Sequence, residues 1–84
     1  MPVQVDHTPN PNAMKFTVGV AVGGPRTLTR DTVAGDPLGS ALLTIDGVVG
    51  VFMTADFVTL TKSADASWDV ITPAAVPILE AQFG

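Results

Sequence analysis

The chain of 84 residues has no cysteine, one histidine and four basic residues. Each shortage closes off a class of function. Without cysteine there is no disulfide framework, although small domains often depend on one. A structural zinc site needs about four Cys or His ligands, which His7 alone cannot supply. Lys15, Arg26, Arg30 and Lys62 are scattered along the chain rather than clustered. Phosphate contacts need concentrated positive charge, so nucleic acid is not an expected partner, and neither is an anionic membrane surface. No apolar stretch approaches the ~20 residues needed to span a bilayer. The first residues lack a basic region followed by an apolar block, so no signal peptide is read there and a cytoplasmic location is expected. The net charge is −4.

Packing is left to hold the fold. Hydrophobic residues make up 46% of the chain and charged residues 14%. A fully buried Val, Leu, Ile, Phe or Met contributes roughly 1.5–3 kcal/mol. Residues 1–84 are read as a single small domain that must fold on this supply.

Two alternating runs open the chain. Val3 and Val5 fall on one side of the first, Gln4 and Asp6 on the other. From Ala13 to Val20, Met14, Phe16, Val18 and Val20 face one way, and Lys15 and Thr17 face the other. Both read as half-buried strands. Between them lies TPNPN, Thr8-Pro9-Asn10-Pro11-Asn12. The prolines hold the preceding residues extended, and the asparagines can bond nearby backbone, so this segment is expected to join two antiparallel strands.

Gly23-Gly24-Pro25 breaks the pattern, and residues 26–30 are compatible with a short edge strand. Asp36-Pro37 reads as a helix cap and first helical position. Leu38, Ala41, Leu42 and Ile45 then share one apolar face, and Gly47 can end the helix with positive φ. Val48–Met53 and Phe57–Lys62 read as strands joined in a hairpin through Thr54-Ala55-Asp56. Ser63–Ser67 is a polar turn. Trp68, Ile71, Ala75 and Leu79 share a helical face, while Thr72-Pro73 looks like a second helix start and Pro77 predicts a kink or a late start. The expected fold class is α+β, two-layered: an antiparallel sheet of about four strands with two helices on one face, in β-β-α-β-β-α order.

No catalytic constellation emerges. His7 reads as a strand-end residue beside the turn. The carboxylates do not fall into an acid/base pair, and Gly19–Gly24 lacks the Lys-Ser/Thr of a phosphate loop. An enzyme is therefore not expected. Catalytic and metal-site residues are none, and a cluster of iron and sulfide held by this chain alone would need thiolates it lacks. Phe16, Phe52 and Trp68 are expected in the core. Phe57 alternates away from Val58 and Leu60, so an exposed Phe57 beside Asp56 is a candidate partner contact.

Taken together, TPNPNAMKF, Asp36-Pro37-Leu38 with Leu42, Ile45-Asp46-Gly47-Val48, Val51-Phe52, Asp56-Phe57-Val58-Thr59-Leu60-Thr61-Lys62 and Trp68-x-x-Ile71-x-Pro73 resemble the N-terminal domain of Nfu/NifU-like iron–sulfur scaffold proteins. The resemblance covers nearly the whole chain. Gly39 stands where alanine is usual, Leu43 where an aromatic is common, and Pro77 interrupts the last helix. The resemblance implies a link to iron–sulfur cluster assembly. In the family a separate Cys-x-x-Cys domain carries the cluster, and none of its ligands has a counterpart here. The chain is thus expected to be a stand-alone, non-catalytic interaction module that binds no cofactor directly and meets a cluster only through a partner. Expected partners are a cysteine-bearing scaffold, an apoprotein client or a second copy in a homodimer. Candidate docking residues are Thr8, Pro9, Asn10, Pro11, Asn12, Phe52, Asp56 and Phe57. The rival expectation is a general protein-interaction adaptor with no link to iron.

Overall fold

Alternating runs become strands here, and their pairing builds the layer that everything else rests on. The computed structural model describes residues 3–22, 25–29 and 37–83. Its elements are β1 (Gln4–His7), β2 (Ala13–Thr17), β3 (Arg26–Thr29), α1 (Pro37–Leu43), β4 (Val48–Thr54), β5 (Phe57–Lys62) and α2 (Trp68–Phe83). The strands form one antiparallel sheet in the order β1-β2-β5-β4-β3. The expected α+β architecture holds, with five strands rather than four. The extra one is the edge strand β3, whose Leu28 pairs with Val51 and is buried.

Register explains which face is covered. Met14 pairs with Leu60, Leu60 with Val51 and Val51 with Leu28, so one row of buried side chains crosses four strands. A second row runs through Phe16, Val58 and Met53. Leu38, Leu42 and Leu43 of α1 and Ile71, Ala75 and Leu79 of α2 join these residues in one core. Apolar burial at roughly 25 cal/mol per Å² is the main stabilising term. Val48 and Val51 are an odd number of residues apart, yet both are buried. Strict alternation forbids this. A bulge between Val48 and Gly50 absorbs Val49 as an extra residue and resets the phase.

Four local expectations are corrected. Val20 is exposed, because Gly19 takes φ 79° and ends the alternation after Val18. Phe52 is 38% exposed and lies on the face without helices, since it alternates against Val51 and Met53. α1 ends at Leu43, so Ile45 lies in the following turn, where it still packs on the core. Gly47 takes a positive φ, 96°, but in the turn before β4 rather than as the end of α1, which stops at Leu43. A Cβ there would lie 2.6 Å from the Ala66 Cβ, so both its conformation and its lack of a side chain are required. The cap expected at Asp36 lies outside the described residues.

The largest correction is α2, one helix from Trp68 to Phe83 with Pro73 and Pro77 inside it. Ser67 starts it: the Asp69 amide donates to Ser67 Oγ at 3.2 Å, and the Val70 and Ile71 amides donate to the Ser67 carbonyl. The prolines are tolerated because of their phase. Each lies two residues, roughly 200° of helix turn, from the buried positions Ile71, Ala75 and Leu79. Both are exposed, so the carbonyls they leave without amide partners face water.

Candidate functional site

The turn between β1 and β2 is held by its own polar groups. Thr8 Oγ1 lies 2.9 Å from the carbonyl oxygens of both Asn10 and Ala13, between which its single proton is shared, and accepts from the Asn10 amide at 3.2 Å. Asn10 Oδ1 accepts from the Asn12 amide at 2.9 Å, and the Ala13 amide donates to the Asn10 carbonyl at 3.0 Å. These short-range bonds are what Thr and Asn offer a turn. The turn is then tied to the rest of the molecule. Lys62 Nζ donates to Asn12 Oδ1 at 3.1 Å, and the Lys62 amide donates to the Asn12 carbonyl at 2.8 Å. Trp68 Nε1 donates to the Pro11 carbonyl at 3.1 Å, while its ring lies 6.4 Å from that of Phe16. Pro9, Asn10 and Pro11 remain exposed.

Asp56 sits at the tip of the β4–β5 hairpin, opposite this turn across the length of β2: Thr17 pairs with Phe57 and Ala13 with Thr61. The separation is four strand residues, roughly 13 Å. Ala55 takes φ 51°, in the left-handed region. The tip anchors the segment after β2: the Val18 amide donates to the Asp56 carbonyl at 2.8 Å and the Val22 amide to the Ala55 carbonyl at 2.9 Å. The candidate docking residues therefore do not form one patch. Phe52, Asp56 and Phe57 lie together, and Thr8–Asn12 lies apart from them.

Phe52 and Phe57 project from the uncovered face of the sheet, with ring centroids 6.5 Å apart and planes at 54°. Lys15 Nζ lies 4.5 Å from the Phe57 ring centroid, a cation–π contact. Register places Thr59 between Lys15 and Phe52, and Thr27 beyond Phe52. The result is an aromatic pair on a threonine-rich surface, with one cation at its side. The sequence singled out the two Phe residues as candidates. It did not reveal the Lys15 contact, the Lys62–Asn12 bond or the Trp68–Pro11 bond. Only the indole's obligatory N–H gave a hint of the last, since a buried-side Trp usually finds an acceptor.

The donor set does not fit an iron–sulfur cluster. The chain has no thiol, and among the described residues no three His, Cys, Asp or Glu side chains gather in a metal-binding group. His7 is exposed at the end of β1. No described helix is long and apolar enough to cross a membrane.

The fold and its loops match a known class. The family model described as "Scaffold protein Nfu/NifU N terminal" matches residues 3–84. The chain belongs to that family. It is 42% identical over 74 residues to NifU-like protein 4, mitochondrial, of Arabidopsis thaliana; the match covers 84% of this chain and 26% of the plant protein. It is 41% identical over 75 residues to the mitochondrial NFU1 iron-sulfur cluster scaffold homolog of Drosophila erecta, with the same coverage of each chain. The chain thus spans about a quarter of the length of these curated relatives. Among solved structures, protein SAV1430 of Staphylococcus aureus superposes with a TM-score of 0.83 at 28% identity, covering 95% of this chain and 100% of that one. A NifU-like protein of Saccharomyces cerevisiae shares the fold, with a TM-score of 0.85 at 22% identity over 95% of this chain and 76% of the yeast chain.

Proposed function

We propose that this chain is a non-catalytic protein-interaction module in iron–sulfur cluster assembly or delivery, acting in the cytoplasm. It docks onto a cysteine-bearing scaffold or an apoprotein client. Family membership supports the link to clusters. The absence of any thiol means that cluster ligands must come from elsewhere. The observation that carries the docking role is the aromatic pair on the uncovered face, Phe52 exposed and Phe57 half-buried beside it. Phe52 and Phe57 are held rigidly on strands, and such aromatics dominate the energetics of protein interfaces. Asp56 borders them at the tip, and the exposed Pro9–Pro11 edge is a second, separate contact.

The test is an NMR titration of the isotope-labelled chain with the host's Nfu-type Cys-x-x-Cys domain and, separately, with cluster-accepting apoproteins. Saturable shifts at Phe52, Asp56 and Phe57, lost in the Phe52→Ser/Phe57→Ser double variant, are expected. Absence of binding to every cysteine-bearing partner, alongside binding to proteins unconnected with iron, would replace this reading with the general adaptor.

A further inference from the structure

A second surface lies away from the aromatic pair, at the end of the sheet where α2 begins. Gly47, Ser63, Ala66 and Ser67 line an open groove of about 520 Å³, with Val49 and Val70 on its walls. These two valines are among the most exposed large apolar residues described, at 44% and 66%. Neither is exposed by accident of a loose loop. Val49 is the bulge residue of β4, and bulges commonly re-aim a side chain. Val70 lies in the first turn of α2, just after the Ser67 cap. The floor is fixed by close packing: Gly47 admits no Cβ beside Ala66, and the Ser63 amide donates to the Gly47 carbonyl at 2.8 Å.

Asp46 and Asp65 border the same groove and are exposed. Among the described residues neither carboxylate has an ion pair or a side-chain hydrogen bond. Asp65 precedes the start of α2, where a helix favours a negative charge. Asp46 follows the end of α1, where the helix dipole opposes one. The nearby Lys62 is engaged with Asn12 and the Ser63 carbonyl rather than with these acids.

We propose that this groove binds a short basic–apolar peptide segment of a partner protein, with aliphatic side chains against Val49 and Val70 and Lys or Arg side chains beside Asp46 and Asp65. Charge complementarity selects this occupant. A second copy of the chain would bring a net charge of −4 and only four basic residues, so self-association does not meet the requirement. The site is independent of the aromatic face and of any connection with iron.

The probe is a labelled decapeptide alternating arginine and valine, titrated into the isotope-labelled chain at low salt. A control peptide carries glutamate in place of arginine. Saturable shifts are expected at Gly47, Val49, Ala66 and Val70, with no response to the acidic peptide. Val49→Ser/Val70→Ser weakens binding about tenfold, from loss of partly buried aliphatic contact. Asp46→Asn/Asp65→Asn weakens it roughly three- to tenfold and flattens its salt dependence, as exposed charge pairs do. All four positions border solvent, so circular dichroism should show both variants folded. The proposal fails if the basic peptide does not saturate by millimolar concentration, if the acidic peptide binds equally, or if the shifts map to Phe52 and Phe57.

Discussion

The two hairpin connections at opposite ends of the sheet are built on different principles. The turn from Thr8 to Asn12 is held by side chains: a threonine hydroxyl and an asparagine amide satisfy the local backbone, and Lys62 and Trp68 tie it to a strand and a helix. The Ala55–Asp56 turn is held by main chain alone. It keeps a β-carbon residue at φ 51° and is steadied by amides arriving from Val18 and Val22. The first end is rich in specific residues and has little freedom to vary. The second stores strain at Ala55. Polar side chains therefore mark where this fold is fixed, not automatically where it binds.

Substitutions can break that contrast, beginning with the largest effect. Gly47→Ala, at the side-chain-rich end, combines a left-handed φ with a 2.6 Å clash against Ala66. It should cost about 3 kcal/mol and lower the melting temperature by more than ~10 °C in a calorimetric scan. A wild-type melting curve would show that Ala66 can shift at little cost.

Thr8→Val and Trp68→Phe each remove bonds that hold the first turn. Each should lose about 1 kcal/mol in urea unfolding, the net value of one or two hydrogen bonds. For Trp68→Phe, amide exchange at Asn12 and Ala13 should also quicken. Unchanged exchange there would mean that the indole bond does not hold the turn.

Ala55→Gly should act in the opposite sense and stabilise the chain by about 0.5–1 kcal/mol, because relief of the left-handed strain exceeds the entropy that glycine adds to the unfolded chain. A loss of stability would show that the tip is not strained. The smallest effect is expected for Phe52→Ser, which is 38% exposed on the face without helices and outside the core. Its unfolding free energy should stay within about 0.5 kcal/mol of wild type. A larger drop would make Phe52 a structural residue and weaken its role as a contact.

The legible parts of the fold were those governed by strict period. Met14, Phe16, Val58 and Leu60 alternate as written and are buried, and Ile71, Ala75 and Leu79 fall on the core stripe of α2. What escaped were the breaks in period. The bulge at Val49 changes phase within β4, so Phe52, expected in the core with Phe16 and Trp68, faces outward instead. The hydrophobic count of a strand cannot reveal such a slip, because it depends on which residues the neighbouring strand presents. The Thr8–Asn12 segment was recognisable as a turn from its prolines and asparagines. Its distance from Phe57 follows only from the pairing of Ala13 with Thr61. Pro73 and Pro77 predict a broken helix when only their identity counts. Their two-residue offset from the core positions held the contrary information.

Those prolines also bear on how the chain acquires its structure. A segment with two missing amide donors and an interior cost of ~3 kcal/mol each has little reason to coil in isolation. Residues 68–83 thus owe their helicity to the sheet beneath them, through Ile71, Ala75 and Leu79. Ellipticity from this segment becomes an intrinsic gauge of tertiary docking: it should vanish in the excised peptide and rise only as the strands assemble.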